Sequence, residues 1–242
     1  LAHKAQHELK ARYKTKNIDP FAHVYLKAHC DEILDELVAL EFELFKIEEQ
    51  RVNSDLLWQV LGGDLPPSKR LTENQLELLV KSKFNELRDF YKSISQSRAS
   101  RAGGSVQNHI AYILNTLGYP FEAQKIINGK PDFILPNVAL YHKTPGECIL
   151  MTAKRTLRER WRQIITEGFR SPQYFLVTID EKQSADGLKE MAGHRIYLVI
   201  PERIRQSVSV YQTSGNVVTV RAFFEDYLDP AMMRWRQAGI IS

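Results

Sequence analysis

The chain has 242 residues, of which 43% are hydrophobic and 26% are charged, as is typical of a soluble globular protein with one large or two small domains. Its apolar runs, such as YFLV at 174–177, are far shorter than the roughly 20 residues of a membrane-spanning helix, so we expect no membrane association. The net charge of +4 is too small to indicate a nucleic-acid partner by itself. Cys30 and Cys148 show neither metal-ligand spacing nor a disulfide framework, which favours reduced thiols and a cytoplasmic, prokaryotic protein.

The first part of the chain is predicted to be helical. In the acidic segment DEILDELVALEFELFKIEEQ at 31–50, apolar residues recur at spacings of three and four. A cluster of glycine and proline at 62–67 interrupts this pattern. A second helix is predicted to begin at Thr72, because Gln75 three residues later completes a capping box.

A polar, glycine-containing stretch, SQSRASRAGGS at 95–105, predicts a break in the helical pattern. We place a domain boundary there. The helical N-terminal domain would cover residues 1–95 and serve DNA contacts or dimerisation, and the catalytic domain would cover residues 96–242.

Beyond this stretch the pattern is typical of an α/β domain. A further helix is predicted to end at Gly118; its apolar face consists of Val106, Ile110, Ile113, Leu114 and Leu117. The segment KIINGKPDFILP then predicts a hairpin, GECILMTAK a strand, and TLRERWRQIITEG a helix ended by Gly168. YFLVTID and RIYLVIP are apolar enough to be buried parallel strands. We therefore predict a mixed central sheet flanked by helices, behind the N-terminal helices.

Two charged residues at strand ends indicate hydrolytic chemistry. Asp132 begins one predicted strand and Lys154 ends the next, so their side chains can converge across neighbouring strands about 4.8 Å apart. Metal-assisted phosphodiester hydrolysis uses such a pair, with carboxylates for Mg²⁺ and a lysine that orients the attacking water. A second acid two residues before the lysine is missing, because Thr152 stands there; Glu167, on the following helix, is the candidate replacement. The alternative is a turn aspartate and a surface lysine, since such pairs are common.

The residues after Lys154 have the chemistry of a DNA-reading helix. Thr156 and Glu159 form a predicted capping box, so that Arg158 and Arg160 lie in the first turn. Arginine pairs with guanine and glutamate accepts a hydrogen bond from cytosine, which makes Arg-Glu-Arg a reader of two adjacent G·C pairs. A solvated helix end with an ordinary capping box is the alternative.

Together, the segments SRAGGSVQNHIAYIL, PFEAQ, KPDFILP and TAKRTLRERWRQIITE and the strand pair FLVTID and RIYLVIP resemble type II restriction endonucleases of the PD-(D/E)xK superfamily. The resemblance is closest to the group that cuts sites containing CCGG or CC-N-GG, including the catalytic domain of EcoRII. It spans about residues 97–205 and implies a restriction-endonuclease-like fold. The N-terminal helices match nothing that we can name.

The resemblance implies Asp132 and Glu167 as ligands of Mg²⁺ and Lys154 as the catalytic lysine. It also implies Arg158, Glu159 and Arg160 as readers of the CC/GG half-site in double-stranded DNA, and a homodimer or a higher oligomer. The family usually has a glutamate where this chain has Gln107. Gln107 can still coordinate a metal through its carbonyl oxygen, but with less charge, and Glu122 is a weak replacement.

Other polar residues are weaker candidates. Arg98 and Arg101 flank the glycine pair and are assigned to DNA contacts, although surface arginines are the alternative. Gln183, with its neighbour Lys182, follows a strand end where family members often place another DNA-contacting residue. We expect no catalytic role for the histidines at 109 and 142, which should be surface or hydrogen-bonded residues.

We therefore predict a Mg²⁺-dependent type II restriction endonuclease that cleaves a palindrome built on CC/GG half-sites. A contiguous CCGG core with outer bases read by the helical domain is slightly favoured. An interrupted CCNGG or CCWGG site, with central bases flipped into a pocket built partly by the N-terminal helices, is the first alternative. The other alternative is a DNA-binding protein that no longer cleaves, which Gln107 motivates.

Overall fold

The computed structural model describes residues 1–62, 72–127, 129–157, 161–162, 164 and 172–241. The helices are α1 Ala2–Lys14, α2 His23–Ala28, α3 Cys30–Gly62, α4 Glu73–Ser82, α5 Phe84–Thr116, α6 Val138–Lys143, α7 Ala185–Gly193, α8 Glu202–Ser207, α9 Ser209–Thr213, α10 Val220–Ala222 and α11 Asp229–Gln237. A 3-10 turn covers Pro145–Glu147, and a π-helical segment covers Phe223–Leu228. The strands are β1 Glu122–Ala123, β2 Phe133–Leu135, β3 Ile149–Ala153, β4 Tyr174–Val177, β5 Ile196–Ile200 and β6 Val217–Thr219.

The described strands form one mixed sheet in the order β1-β2-β3-β4-β5-β6. Strands β1 to β3 are antiparallel, and β3 to β6 are parallel. All residues of β2, β3 and β4 are buried, because helices cover both faces of a sheet of this kind. The prediction of buried parallel strands at YFLV and IYLVI is confirmed. The predicted break at 62–67 falls mostly outside the described residues.

Helix α5 contradicts the predicted break at 95–105, because it continues without interruption from Phe84 to Thr116. The glycines in this stretch cost roughly 1 kcal/mol each in a helix, which packing against α3 and β3 outweighs. The prediction of a break in the helix, made from the glycine and serine residues of this stretch, was therefore wrong. The division into residues 1–95 and 96–242 stays a prediction, and α5 crosses it.

Two helix ends follow their sequence signals. Thr72 caps α4 in a complete capping box with Gln75, as predicted. The helix that begins after Thr72 ends at Ser82, and Lys83 separates it from α5. At its other end α5 stops before Gly118, which has a positive φ of 75°, as expected for a glycine that closes a helix.

The N-terminal helices share a hydrophobic core with the sheet. The first third of α3 is buried through Ile33, Leu34 and Leu37, in one cluster with residues of the central strands. Asp31 adds a polar link, because its carboxylate accepts backbone hydrogen bonds at the starts of α8 and α10 at 2.8–3.2 Å. Burial raises the pKa of Asp31 to about 6, against the lowering effect of these bonds. Among the described helices, none is both long and apolar enough to cross a bilayer.

Candidate active site

The ends of β2 and β3 bring Asp132 and Lys154 together. Because β2 and β3 are antiparallel with Phe133 opposite Met151, the residue before β2 and the residue after β3 lie at the same edge of the sheet. Lys154 Nζ is 3.0 Å from Asp132 Oδ2 and 3.4 Å from Oδ1. The Asp132 side chain is 12% exposed and that of Lys154 is 29% exposed. The ion pair is therefore partly desolvated, but solvent still reaches both side chains.

Backbone hydrogen bonds hold both residues in place. The Ala153 N–H donates to Asp132 Oδ2 at 2.9 Å, so one carboxylate oxygen is fixed by β3 itself. The Lys154 N–H donates to the Val177 carbonyl at 2.9 Å, which extends the parallel ladder of β3 and β4 by one residue. The pair therefore sits on rigid strands, as precise chemistry requires.

Thr152, at the position where a second acid was expected, has a structural contact. Its Oγ1 accepts from the Asp132 N–H at 3.3 Å and is 2.6 Å from the Tyr174 hydroxyl. Thr152 is buried, and it therefore links the backbone of Asp132 to β3 and β4. It positions the carboxylate rather than adding a negative charge.

The described residues supply part of a metal site. Asp132 Oδ1 has only the long contact with Lys154 among the described residues, so it can face a cation while Oδ2 is held by the backbone. Mg²⁺ commonly uses one or two carboxylates and keeps several waters, so this donor fits that ion. No cluster of three or more acidic, histidine or cysteine side chains occurs in the described ranges. The predicted second ligand, Glu167, lies outside them.

The three predicted base readers, Arg158, Glu159 and Arg160, also lie outside the described residues. Because Glu159 is one of them, the predicted capping box with Thr156 lies outside the described residues as well. On either side of them, Leu157 and Trp161 are buried, and residues 161–162 and 164 are helical. This agrees with the helix predicted after Lys154, as far as it is described.

Asp180 holds the start of this segment, and sequence reasoning missed it. Its buried carboxylate accepts from the Leu157 N–H at 2.8 Å and from the Lys182 N–H at 3.0 Å. Gln183, a predicted DNA contact, donates from its side-chain amide to the same carboxylate at 3.4 Å. The sequence signal for Asp180 was its position at the end of FLVTID, shortly after a buried parallel strand. Polar groups of neighbouring strands meet at such strand ends.

Thr178 strengthens this connection. Its hydroxyl donates to the Arg155 carbonyl at 3.2 Å and accepts from the Asp180 N–H at 3.1 Å. Two hydrogen bonds therefore join the end of β4 to the chain between Lys154 and the predicted reading helix, one at Arg155 and one at Leu157. Thr178 and Asp180 therefore hold Arg155 and Leu157, directly before the predicted readers.

The remaining predicted residues are dispersed. Gln107 is partly buried on α5, which packs against β3, and Glu122 begins β1. Arg98 makes a bidentate pair with Glu49 at 2.6 and 2.7 Å, which raises the pKa of the guanidinium. The side chain of Arg101 is not among those that the structure describes. Of the two histidines, His142 is exposed, and His109 is buried with Nε2 2.7 Å from Glu41.

A cavity of about 380 Å³ lies between α3 and α5, next to Arg155. An aromatic ring, Phe42, faces two cations there: Lys46 Nζ is 4.5 Å and Arg155 Cζ is 4.7 Å from its ring centroid. Glu41 also lines the cavity. Burial opposes the charged form of Glu41, but hydrogen bonds from His109 and Ser105 keep the pKa of its carboxyl below the ordinary value. The cavity thus combines a stacking surface with a fixed acceptor.

Comparisons with known families and sequences find consistent relatives. The EcoRII C-terminal family model matches residues 68–224. The type II restriction enzyme EcoRII of Escherichia coli is 37% identical over 120 residues, which are 47% of this chain and 30% of EcoRII. The type II restriction enzyme SsoII of Shigella sonnei is 27% identical over 261 aligned positions, covering 95% of this chain and 82% of SsoII. The matched segment is thus less than a third of EcoRII but most of SsoII.

Solved structures show the same fold. Ecl18kI, in a metal-depleted complex with uncleaved DNA, aligns with a TM-score of 0.72 and 23% identity over 100% of this chain and 87% of that chain. A complex of restriction endonuclease PspGI with substrate DNA aligns with a TM-score of 0.61 and 19% identity over 84% and 80%. The predicted fold, a restriction-endonuclease-like mixed sheet with N-terminal helices, is confirmed.

Proposed function

Because this chain belongs to the EcoRII C-terminal family of type II restriction enzymes, we propose that it is a Mg²⁺-dependent endonuclease that cleaves both strands of duplex DNA at a palindrome built on CC/GG half-sites. The contact that carries this proposal is the ion pair of Lys154 and Asp132 at the ends of two antiparallel strands. A DNA substrate favours action in the bacterial cytoplasm, where the two free cysteines stay reduced.

Each residue has a defined part in the proposed reaction. Asp132 and Glu167 would hold Mg²⁺, which when bound activates water and stabilises negative charge on the phosphate. The Lys154 ammonium, held by the fixed carboxylate of Asp132, orients the attacking water and offsets charge on the phosphate oxygens. Arg158, Glu159 and Arg160 would read the half-site, starting from the segment that Asp180 holds.

Plasmid cleavage with Mg²⁺ and with EDTA tests this proposal. We expect Lys154→Ala to abolish cutting while sequence-specific binding in EDTA is retained, and we expect the exposed-lysine control Lys189→Ala to cut normally. Absence of cut product with every divalent metal would leave a DNA-binding protein without cleavage, the alternative that Gln107 motivates.

A second test concerns base reading. Arg160→Ala should weaken binding by roughly 1–3 kcal/mol and relax the requirement at one G·C pair. An equal loss for all sequences would show that Arg160 contacts only phosphate.

The cavity beside Arg155 bears on the form of the recognition site. A flipped base needs an aromatic surface for stacking and a polar group for its hydrogen-bonding edge. Phe42 would supply the surface once the base displaces Lys46 or Arg155 from its ring, and Glu41 would supply the polar group. We therefore favour an interrupted site, CCNGG or CCWGG, over the contiguous CCGG core. Cleavage of matched oligonucleotides decides between them, and 2-aminopurine at the central position should brighten in wild type and less in Phe42→Ala.

A palindromic site requires two active sites related by a two-fold axis. We accordingly propose a homodimer as the cutting form, with each protomer acting on one strand. Monomers would instead nick one strand at a time, which the same plasmid assay distinguishes as open-circular product.

A further inference from the structure

The turn between β1 and β2 lies at the edge of the sheet that carries Asp132. Strand β1 pairs antiparallel with β2, with Ala123 opposite Phe133, so the residue that follows β1, Gln124, stands opposite Asp132. The Gln124 N–H donates to the Asp132 carbonyl at 2.9 Å, which extends this ladder by one residue. Side chains that follow Gln124 or precede Asp132 therefore lie close to the ion pair of Asp132 and Lys154.

Several contacts fix the described backbone of this turn. The Ile127 N–H donates to the Gly129 carbonyl at 3.0 Å, and the Gly129 N–H donates to the Ile127 carbonyl at 2.8 Å. The ring of Phe121, just before β1, packs edge-on against the buried ring of Phe133 on β2, with 5.2 Å between the centroids. These contacts hold the turn in a defined position, as a contact with substrate requires.

The charges of the turn favour an anionic partner. Lys125 and Lys130 are exposed, one on each side of the turn, and residues 123–131 contain no acidic side chain. The nearest acids in the sequence are Glu122, which is half-buried, and Asp132, which is buried. The solvent-facing part of the turn therefore presents two positive charges beside the active-site carboxylate.

The apolar residues of the turn do not favour a protein partner. Ile126 is 79% exposed, but Ile127 is partly buried and packs against the core. Ile126 is thus a single exposed apolar side chain among the described residues of the turn, which is common on protein surfaces. A protein interface would need a contiguous apolar patch, whereas a phosphate needs only exposed cations. DNA therefore fits this turn better than a protein does.

We propose that Lys125 and Lys130 bind phosphates of the cleaved strand that flank the scissile phosphate. A duplex whose scissile phosphate lies at Asp132 brings its neighbours to the turn, because successive phosphates of one strand are only about 3.4 Å apart along the helix axis. Lysine carries a compact charge on a flexible four-carbon stem and pairs with phosphate as a point charge. The two lysines also offset the repulsion between the Asp132 carboxylate and the incoming phosphates. The inference rests on the proposed function, since it takes DNA as the substrate, but the contact requires no cleavage.

Fluorescence anisotropy of the full chain with a specific duplex in EDTA, at several salt concentrations, tests the proposal. Each phosphate contact contributes about −0.9 to the slope of log K against log salt concentration. Lys125→Ala with Lys130→Ala should therefore make the slope shallower by about 2. Lys125→Arg with Lys130→Arg keeps both charges and should retain the wild-type slope. An unchanged slope in the double alanine variant overturns the proposal.

Two control variants separate this contact from a general effect of charge. Lys14→Ala with Lys143→Ala removes two exposed lysines at the ends of α1 and α6 and should leave the slope unchanged. Ile126→Ala alters the same turn without changing its charge and should also leave the slope unchanged. An equal loss of slope in the lysine control would reflect net charge alone and would overturn the assigned contact.

Methylphosphonate substitution locates the contact on the DNA. Replacing single phosphates across the recognition site by neutral methylphosphonates should weaken wild-type binding at the phosphates that Lys125 and Lys130 contact. The same replacements should cost the double alanine variant nothing further, and equal losses in both proteins contradict the contact. A wild type that shows the expected binding but cuts with no divalent metal would overturn the proposed function and leave the phosphate contact standing.

Discussion

Replacing Asp180 by alanine tests the idea that the end of β4 positions the DNA-reading segment. The substitution removes the acceptor of the Leu157 N–H and of the Lys182 N–H, at 2.8 and 3.0 Å, and the partner of the Gln183 amide. Of these three bonds, the one from Leu157 joins the end of β4 to the predicted reading segment, and the other two order the loop at 180–183.

The expected magnitude follows from burial. A hydrogen bond to a charged group contributes about 1.5–3 kcal/mol, and a buried donor left without a partner costs about 1–3 kcal/mol. Leu157 is 1% exposed, so water cannot replace its acceptor, whereas Lys182 is exposed and is rehydrated. We therefore expect the free energy of unfolding to fall by about 2–3 kcal/mol for Asp180→Ala and by about 1 kcal/mol for Asp180→Asn, which keeps one acceptor oxygen.

Urea unfolding and fluorescence anisotropy in EDTA measure the two consequences. Because the reading segment loses its anchor, affinity for a specific duplex should fall about tenfold, or 1.4 kcal/mol, with less than a twofold change for a random duplex. Glu181→Ala removes the same charge one residue away at an exposed position and should change stability by less than about 0.5 kcal/mol. A change below 0.5 kcal/mol for Asp180→Ala, or an equal loss for both duplexes, refutes the reasoning.

Three further substitutions test other contacts. Thr152→Val removes the hydrogen bonds of Thr152 Oγ1 with the Asp132 N–H and the Tyr174 hydroxyl. It should cost about 1–2 kcal/mol in urea unfolding and lower the cleavage rate about tenfold, and a normal rate would show that Thr152 does not position the carboxylate. Burial raises the pKa of Asp31 to about 6, so the folded chain binds this proton more tightly than the unfolded chain does. The protonated carboxyl therefore contributes about 2–3 kcal/mol to the free energy of unfolding below about pH 4. This contribution is lost as the pH rises from about 4 to above 6. Asp31→Asn should flatten that part of the stability curve, and a pH-independent difference from wild type would contradict the assignment. Trp235→Phe removes the bond from the indole N–H to the Glu147 carbonyl at 2.9 Å; it should cost about 1–2 kcal/mol with unchanged cleavage, and an altered cleavage rate would connect this residue to the site.

Features that depend on local pattern could be predicted from the sequence. The apolar strands, the capping box at Thr72 and the glycine closing α5 each follow from a few neighbouring residues. The approach of Lys154 to Asp132 was accessible for a related reason, since strand ends meet at sheet edges. Their roles in chemistry stay predictions.

Features that depend on tertiary contacts could not be predicted. The stretch at 95–105 has the composition of a break, yet α5 runs through it, because packing of the long helix outweighs the low helix propensity of glycine. Asp180 reaches Leu157 across 23 residues; its position after a buried strand indicates a polar site, but no local pattern identifies Leu157 as its partner. The exposure of the apolar residues in α4 was likewise not predicted, because their spacing does not differ from that of a buried helix.

The uninterrupted course of α5 has a mechanical consequence. A helix of 33 residues is about 50 Å long, and this one carries Phe84 and Tyr91 near one end and the core residues Val106 to Leu114 near the other. It therefore joins the N-terminal helices and β3, against both of which it packs, as one rigid rod. Inserting one alanine in its middle would turn the two ends by about 100° relative to each other, so that one end would lose its register with α3 and the free energy of unfolding should fall.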